Sequence, residues 1–134
     1  DPEESVRGTA CSVLWRTAGA QSGTWEFLRD RVAEDPGEEA REDALFGLVK
    51  LRANEADTWE LVRELVPADP SGTVRGAAVA HLCGHRAEEP GTWQLAFDRL
   101  RNDPADRARE EALLALRHYP GEPSAKWDAI RACA

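Results

Sequence analysis

The sequence predicts an all-α fold, a superhelix of stacked helical hairpins, and three observations predict it. Trp25, Trp59, Trp93 and Trp127 are spaced 34 residues apart, and three of them follow a threonine, Thr24, Thr58 and Thr92. The same step relates Asp1-Pro2, Asp35-Pro36, Asp69-Pro70 and Asp103-Pro104, with Arg7, Arg41, Arg75 and Arg109 six residues after each Asp. Between these markers apolar residues fall at three- and four-residue steps, and no alternating strand pattern competes. A fixed period of roughly 20 to 50 residues marks supersecondary units that bury their apolar faces only by stacking.

Each unit reads as two helices. The first opens with Thr as N-cap and Trp at the first helical position, and Glu26 or Glu60 follows where the helix dipole favours negative charge. Its apolar stripe is Trp25, Leu28 and Val32 in one unit, and Trp59, Val62 and Val66 in the next. Asp-Pro closes the turn, because proline keeps the preceding residue out of the helical region while its own fixed φ suits a helix start. The second helix begins there and carries Val6, Ala10 and Leu14, or Ala40, Ala44 and Leu48, as an inner stripe. Gly/Pro/Asn/Glu-rich stretches at 52–57, 88–91 and 120–124 return the chain to the next first helix. The register divides the chain into a half-repeat 1–23, repeats 24–57, 58–91 and 92–125, and a partial repeat 126–134. A piece of a longer protein, carrying further repeats or domains, is the expectation.

With 134 residues, 42% apolar and 31% charged, the chain has the composition of a globular domain large enough to hold a core. Its net charge of −8 repels a phosphate backbone, so nucleic acid is not an expected partner, and with no apolar run near the ~20 residues of a span neither is a membrane. Cys11, Cys83 and Cys133 show neither disulfide nor CxxC spacing, which fits a reducing, cytoplasmic setting without metal or other cofactor. His81, Cys83 and His85 form the one cluster to test for metal. Gly84 inside it, and the lack of a nearby acid in sequence, speak against a site.

The run Asp-Pro, three residues, Val/Ala-Arg, two residues, Ala, then Leu four later resembles the second helix of HEAT and HEAT-like repeats, over essentially the whole chain. That resemblance implies a right-handed α-α superhelix whose second helices line a concave face and hold another macromolecule. It also implies a hydrogen-bonded ladder from repeat to repeat, through Asp1 and Arg7, Asp35 and Arg41, Asp69 and Arg75, and Asp103 and Arg109. Two features depart from the pattern: the recurrent Thr-Trp opening, and Lys126 in place of Thr in the last copy.

A helical wheel of the second helices places Trp15, Phe46, Val49, Leu114 and Arg117 opposite the Ala/Leu stripe. Exposed aromatics on such a face are where interface energy concentrates, so these residues are the candidate binding set. Glu42 and Asp43 join them, because residues 24–57 carry ten acidic and five basic side chains, enough to steer a basic protein or peptide partner. The function expected is a non-catalytic interaction module or scaffold. By analogy of architecture alone, it would serve as the sensor or assembly arm of a regulatory ATPase. The alternative is a HEAT-like enzyme or enzyme subunit, glycosylase-like or lyase-like, with Trp15 and Asp43 on the required face.

Overall fold

The computed structural model describes residues 2–133, and every regular element among them is an α-helix. These are α1 (Pro2–Ala18), α2 (Thr24–Glu34), α3 (Glu38–Arg52), α4 (Ala56–Ala68), α5 (Gly72–His85), α6 (Thr92–Asn102), α7 (Asp106–Leu116) and α8 (Pro123–Cys133). They form two compact units, Asp1–Trp59 and Glu60–Ala134. In the first, α3 packs on both α1 and α2; in the second, α7 packs on both α5 and α6, and α8 lies on α6. One packing plan therefore occurs twice, with α3 and α7 each packed against the two helices before it.

The Asp-Pro corners show why the chain turns where it does. Asp35 and Asp103 are the extended residues that end α2 and α6, and their backbone N–H groups still donate to the helix carbonyls of Arg31 and Arg99. Each carboxylate then reaches forward and accepts the backbone N–H two residues on, that of Gly37 at 2.9 Å and of Ala105 at 2.9 Å. Asp69 does the same for Ser71 at 2.8 Å. The next helix therefore starts three residues after each Asp, later than the Asp-Pro pair itself.

Arginine completes the corner from two sides. Arg41, Arg75 and Arg109 each donate to the backbone carbonyl of the Asp six residues back, at 2.9, 2.7 and 2.6 Å. Arg7 Nε donates to both oxygens of Asp35, 28 residues ahead, and Arg75 spans Asp103 with Nε and Nη2 at 2.8 and 2.7 Å. Fork-to-carboxylate pairing of this kind compensates a carboxylate taken out of water. Asp1 lies outside the described residues.

The Thr-Trp opening works differently from an N-cap. Thr24 and Thr92 are the first residues of their helices, Thr58 is the third of its helix, and all three are buried. The capping position belongs to Gly23 and Gly91, at φ 90° and 88°, a left-handed conformation that glycine adopts without penalty. The hydroxyls point backward instead: Thr24 donates to Ala18 O at 2.7 Å and Thr92 to Arg86 O at 2.8 Å. The indoles do likewise, Trp59 to Ala53 O at 2.8 Å and Trp93 to Ala87 O at 2.9 Å. The pair therefore satisfies carbonyls left open where the preceding second helix ends.

Burial follows the stripes in three of the four second helices. Ala40, Ala44 and Leu48, Val74, Ala78 and Leu82, and Ala108, Ala112 and Leu116 are all buried. In α1 the matching Val6 and Ala10 are exposed, contrary to the inner-stripe expectation. The indoles divide similarly. Trp59 and Trp93 are buried, Trp25 is half-buried beneath the Arg52 guanidinium at 4.0 Å, and Trp127 is exposed because α8 buries Ala129 instead. Two helix starts also precede the sequence-based loop ends: α4 begins at Ala56, and α8 at Pro123, where proline suits a first helical position.

Arg75 holds the Asp103 carboxyl down to about 2, its hydrogen bond outweighing the opposing effect of burial. A lowered carboxylate contributes stability that is complete above the ordinary range and is lost as pH falls from about 4 toward 2, on the order of 2 kcal/mol. Arg75→Ala strands this buried carboxylate and is expected to lower unfolding free energy by about 3 kcal/mol, against less than about 1 kcal/mol for the exposed Arg107→Ala. Urea titrations at pH 7 and pH 3 check both points, since the variant's loss should shrink at the lower pH.

Candidate protein-docking surface

Within the first unit, an aromatic pair stands on the α1 and α3 surface. The rings of Trp15 and Phe46 meet edge to face, 5.5 Å between centroids at 64°, and Phe46 remains 39% exposed. Gly47 makes this possible: a Cβ at that position would fall 2.5 Å from Trp15 Cδ1. The indole therefore lies directly on the α3 backbone, its Nε1 enclosed without a hydrogen-bond partner among the described residues. The Arg16 guanidinium sits 5.2 Å from the Trp15 ring centre, and Lys50 Nζ 5.2 Å from that of Phe46. A cation thus stands over each ring of the aromatic patch.

One turn earlier on α3, Glu42 and Asp43 are half-buried. A Cβ on Gly8 would fall 2.6 Å from Asp43 Oδ2, so a second glycine admits this carboxyl against α1. Burial pushes the Asp43 carboxyl up from its ordinary value. Acidic residues, aromatic rings and basic residues therefore follow one another along α3 at one-turn intervals.

Val49 does not belong to this surface. It is 1% exposed, a core residue, although the helical wheel assigned it to the binding face. It lies about 60° round the helix from Phe46, and a second helix packed on several sides leaves only a narrow strip open.

In the second unit, α5 and α7 border a hollow of about 500 Å³ lined by Ala80, Cys83 and Gly84 on one side and Glu111, Leu114 and Ala115 on the other, with Arg117 and His118 at its end. Leu114 is 50% exposed. Arg117 is also exposed, and its Nε donates to His118 Nε2 at 3.0 Å. Glu111 is held by Arg107 at 2.8 Å. Burial pushes the Cys83 thiol up to about 11, which keeps it protonated and a poor nucleophile at neutral pH. The rings of His81 and His85 are 6.4 Å apart. Among the described residues, no group of three or more His, Cys, Asp and Glu is placed to hold a metal ion. Among the same residues no helix is long and apolar enough to cross a membrane.

The glycine seats were missed by sequence reasoning. A signal existed, because glycine inside a helix costs about 1 kcal/mol relative to alanine and calls for a packing reason. The wheel could not say which neighbour supplies it.

Family models, curated proteins and solved structures were all compared with the chain, and none of them matches it.

The Gly47 seat predicts a reversal of sign. Gly47→Ala should destabilise by about 1 to 3 kcal/mol through overpacking against Trp15. With Trp15→Ala already in place, the same substitution should stabilise by up to about 1 kcal/mol, because only helix propensity remains. A denaturant double-mutant cycle measures both.

Proposed function

We propose that this chain is a non-catalytic protein-interaction module built of HEAT-like hairpins, presenting its second-helix face to a protein or peptide. The observation that carries the reading is the Trp15–Phe46 pair, half-open to solvent yet fixed against backbone by Gly47. A rigid aromatic anchor loses little conformational entropy on binding, which is why such residues dominate interface energetics. The hairpin reading is supported by the recurrence of one corner geometry at Asp35, Asp69 and Asp103, and by carboxylate pairing of Arg7 and Arg75 at equal sequence separation.

The partner that fits is one with an apolar anchor and basic flanking residues, drawn by the acidic stretch that includes Glu42 and Asp43. In the second unit Leu114 and Arg117 border a hollow suited to a further side chain. The sensor or assembly arm of a larger regulatory ATPase is one setting for such a module, on architectural analogy.

The test is affinity capture with wild type and Phe46→Glu, with helicity compared by circular dichroism. The expected outcome is a partner retained by wild type, bound at least tenfold more weakly by the variant, and released by added salt. Identical retention by both proteins would overturn the aromatic anchor. Retardation of duplex DNA at low salt would overturn the protein-binding reading.

A further inference from the structure

The α1–α3 and α5–α7 seams are two copies of one groove, two periods apart in sequence. In the first, a Cβ on Gly8 would sit 3.7 Å from Ala40 Cα and 2.6 Å from Asp43 Oδ2; in the second, one on Gly76 would sit 3.3 Å from Ala108 Cα and 3.0 Å from Glu111 Cγ. Both helix pairs therefore meet in the same register. Two helical turns further along, the copies diverge. The first is filled by the chain's own indole, with Trp15 lying on Gly47, Phe46 at its edge and the Arg16 guanidinium 5.2 Å from the ring centre. In the second, Cys83 and Gly84 stand in place of Trp15 and Arg16, Leu114 in place of Phe46, and Ala115 in place of Gly47. Two large side chains are removed and one methyl is added, and what remains is the hollow of about 500 Å³. Clefts that enclose small ligands span roughly 300–1,000 Å³. The hollow opens between two helices already packed on each other, and a Cβ on Gly84 would meet nothing within 4 Å.

We propose that this hollow binds an aromatic side chain flanked by a basic group on a protein or peptide partner, an inference that rests on the interaction-module reading above. The ring is argued from the first seam, where the same groove already closes on an indole. Ala115 carries a methyl where Gly47 has none, so an incoming ring rests one carbon higher than Trp15 does, over Ala80 and Cys83 and against the half-open Leu114. The basic group is argued from charge complementarity at Glu111. This half-buried side chain is held through Oε1 by Arg107 at 2.8 Å, and its Oε2 has no partner among the described residues. A carboxylate oxygen on a largely apolar wall is best completed by a cationic donor. Arg117 borders the opposite end of the hollow, about 9 Å along α7. The positive group of the ligand therefore belongs at the Glu111 end, which gives the bound segment one orientation.

Backbone-amide NMR titration with the dipeptides Lys-Trp and Trp-Lys, acetylated and amidated, tests this. At least one of them is expected to shift the amides of Ala80, Gly84 and Ala115 at concentrations up to about 10 mM. Replacing its Trp by Ala should weaken binding at least tenfold, and replacing its Lys by Gln at least threefold. The second preference should vanish in Glu111→Gln. Leu114→Glu should weaken binding at least tenfold with helicity unchanged, since that side chain is already half in solvent. Cys83→Trp combined with Ala115→Gly rebuilds the filled seam of the first unit and should abolish binding. No shift at the α5–α7 amides, equal binding of the Ala-substituted or Gln-substituted peptide, or binding retained in the refilled double variant would overturn the proposal. Phe46→Glu should leave the dipeptide affinity unaltered. Partner capture that still depends on Phe46 while the hollow takes no dipeptide would sink this inference alone, and dipeptide binding without Phe46-dependent capture would sink only the aromatic-anchor reading.

Discussion

A buried carboxylate at each Asp-Pro corner is the constraint from which the rest of the structure follows. Asp35 and Asp103 are almost wholly enclosed, a position untenable for an anion without several donors. Donors arrive from the backbone two residues on, from the arginine of the preceding repeat, and from Arg31 or Arg99 one turn back on the same helix, the latter at 3.6 and 3.1 Å. The next helix cannot start elsewhere without giving up the first of these, nor can the preceding second helix shift without giving up the second. Local turn and long-range packing are thereby tied to one side chain, as cooperative hydrogen-bond networks in low dielectric require.

The other corner, between hairpins, is held by neutral groups. Threonine hydroxyls and indole N–H groups close the carbonyls at the ends of second helices, and left-handed glycines at 23 and 91 let the chain reverse. The contrast is physically sensible. An Asp–Arg corner concentrates charge where apolar burial is deep, whereas the Thr-Trp corner brings its own apolar surface, so no ion pair is needed to recover the cost of enclosure.

The surfaces left over differ in kind, and that difference underlies the functional reading. Around Phe46 the exposed strip orders acid, aromatic and base along one helix, from Glu42 and Asp43 through Phe46 to Lys50. The hollow beside Leu114 mixes charged and apolar walls and surrounds a thiol that burial keeps unreactive.

Periodicity in the sequence by itself determined the helical class, the element count per repeat and most of the core, because a 34-residue recurrence of Trp, Asp-Pro, Arg and Ala leaves a single way to bury the alanines. It also singled out Phe46 and Leu114, whose exposure the wheel anticipated from the side opposite that stripe, and Trp15, which is half-buried against the α3 backbone. Tertiary structure alone decided three other things. Val49 went inside, since a helical wheel knows one axis and not how many neighbours flank it. The recurrent threonine became a backward-reaching donor rather than a cap, since Gly23 and Gly91 had already taken the non-helical geometry. Val6 and Ala10 stayed outside although their repeat equivalents are buried, because a stripe at the right period is apolar whether or not a helix lies across it, and only packing distinguishes the two.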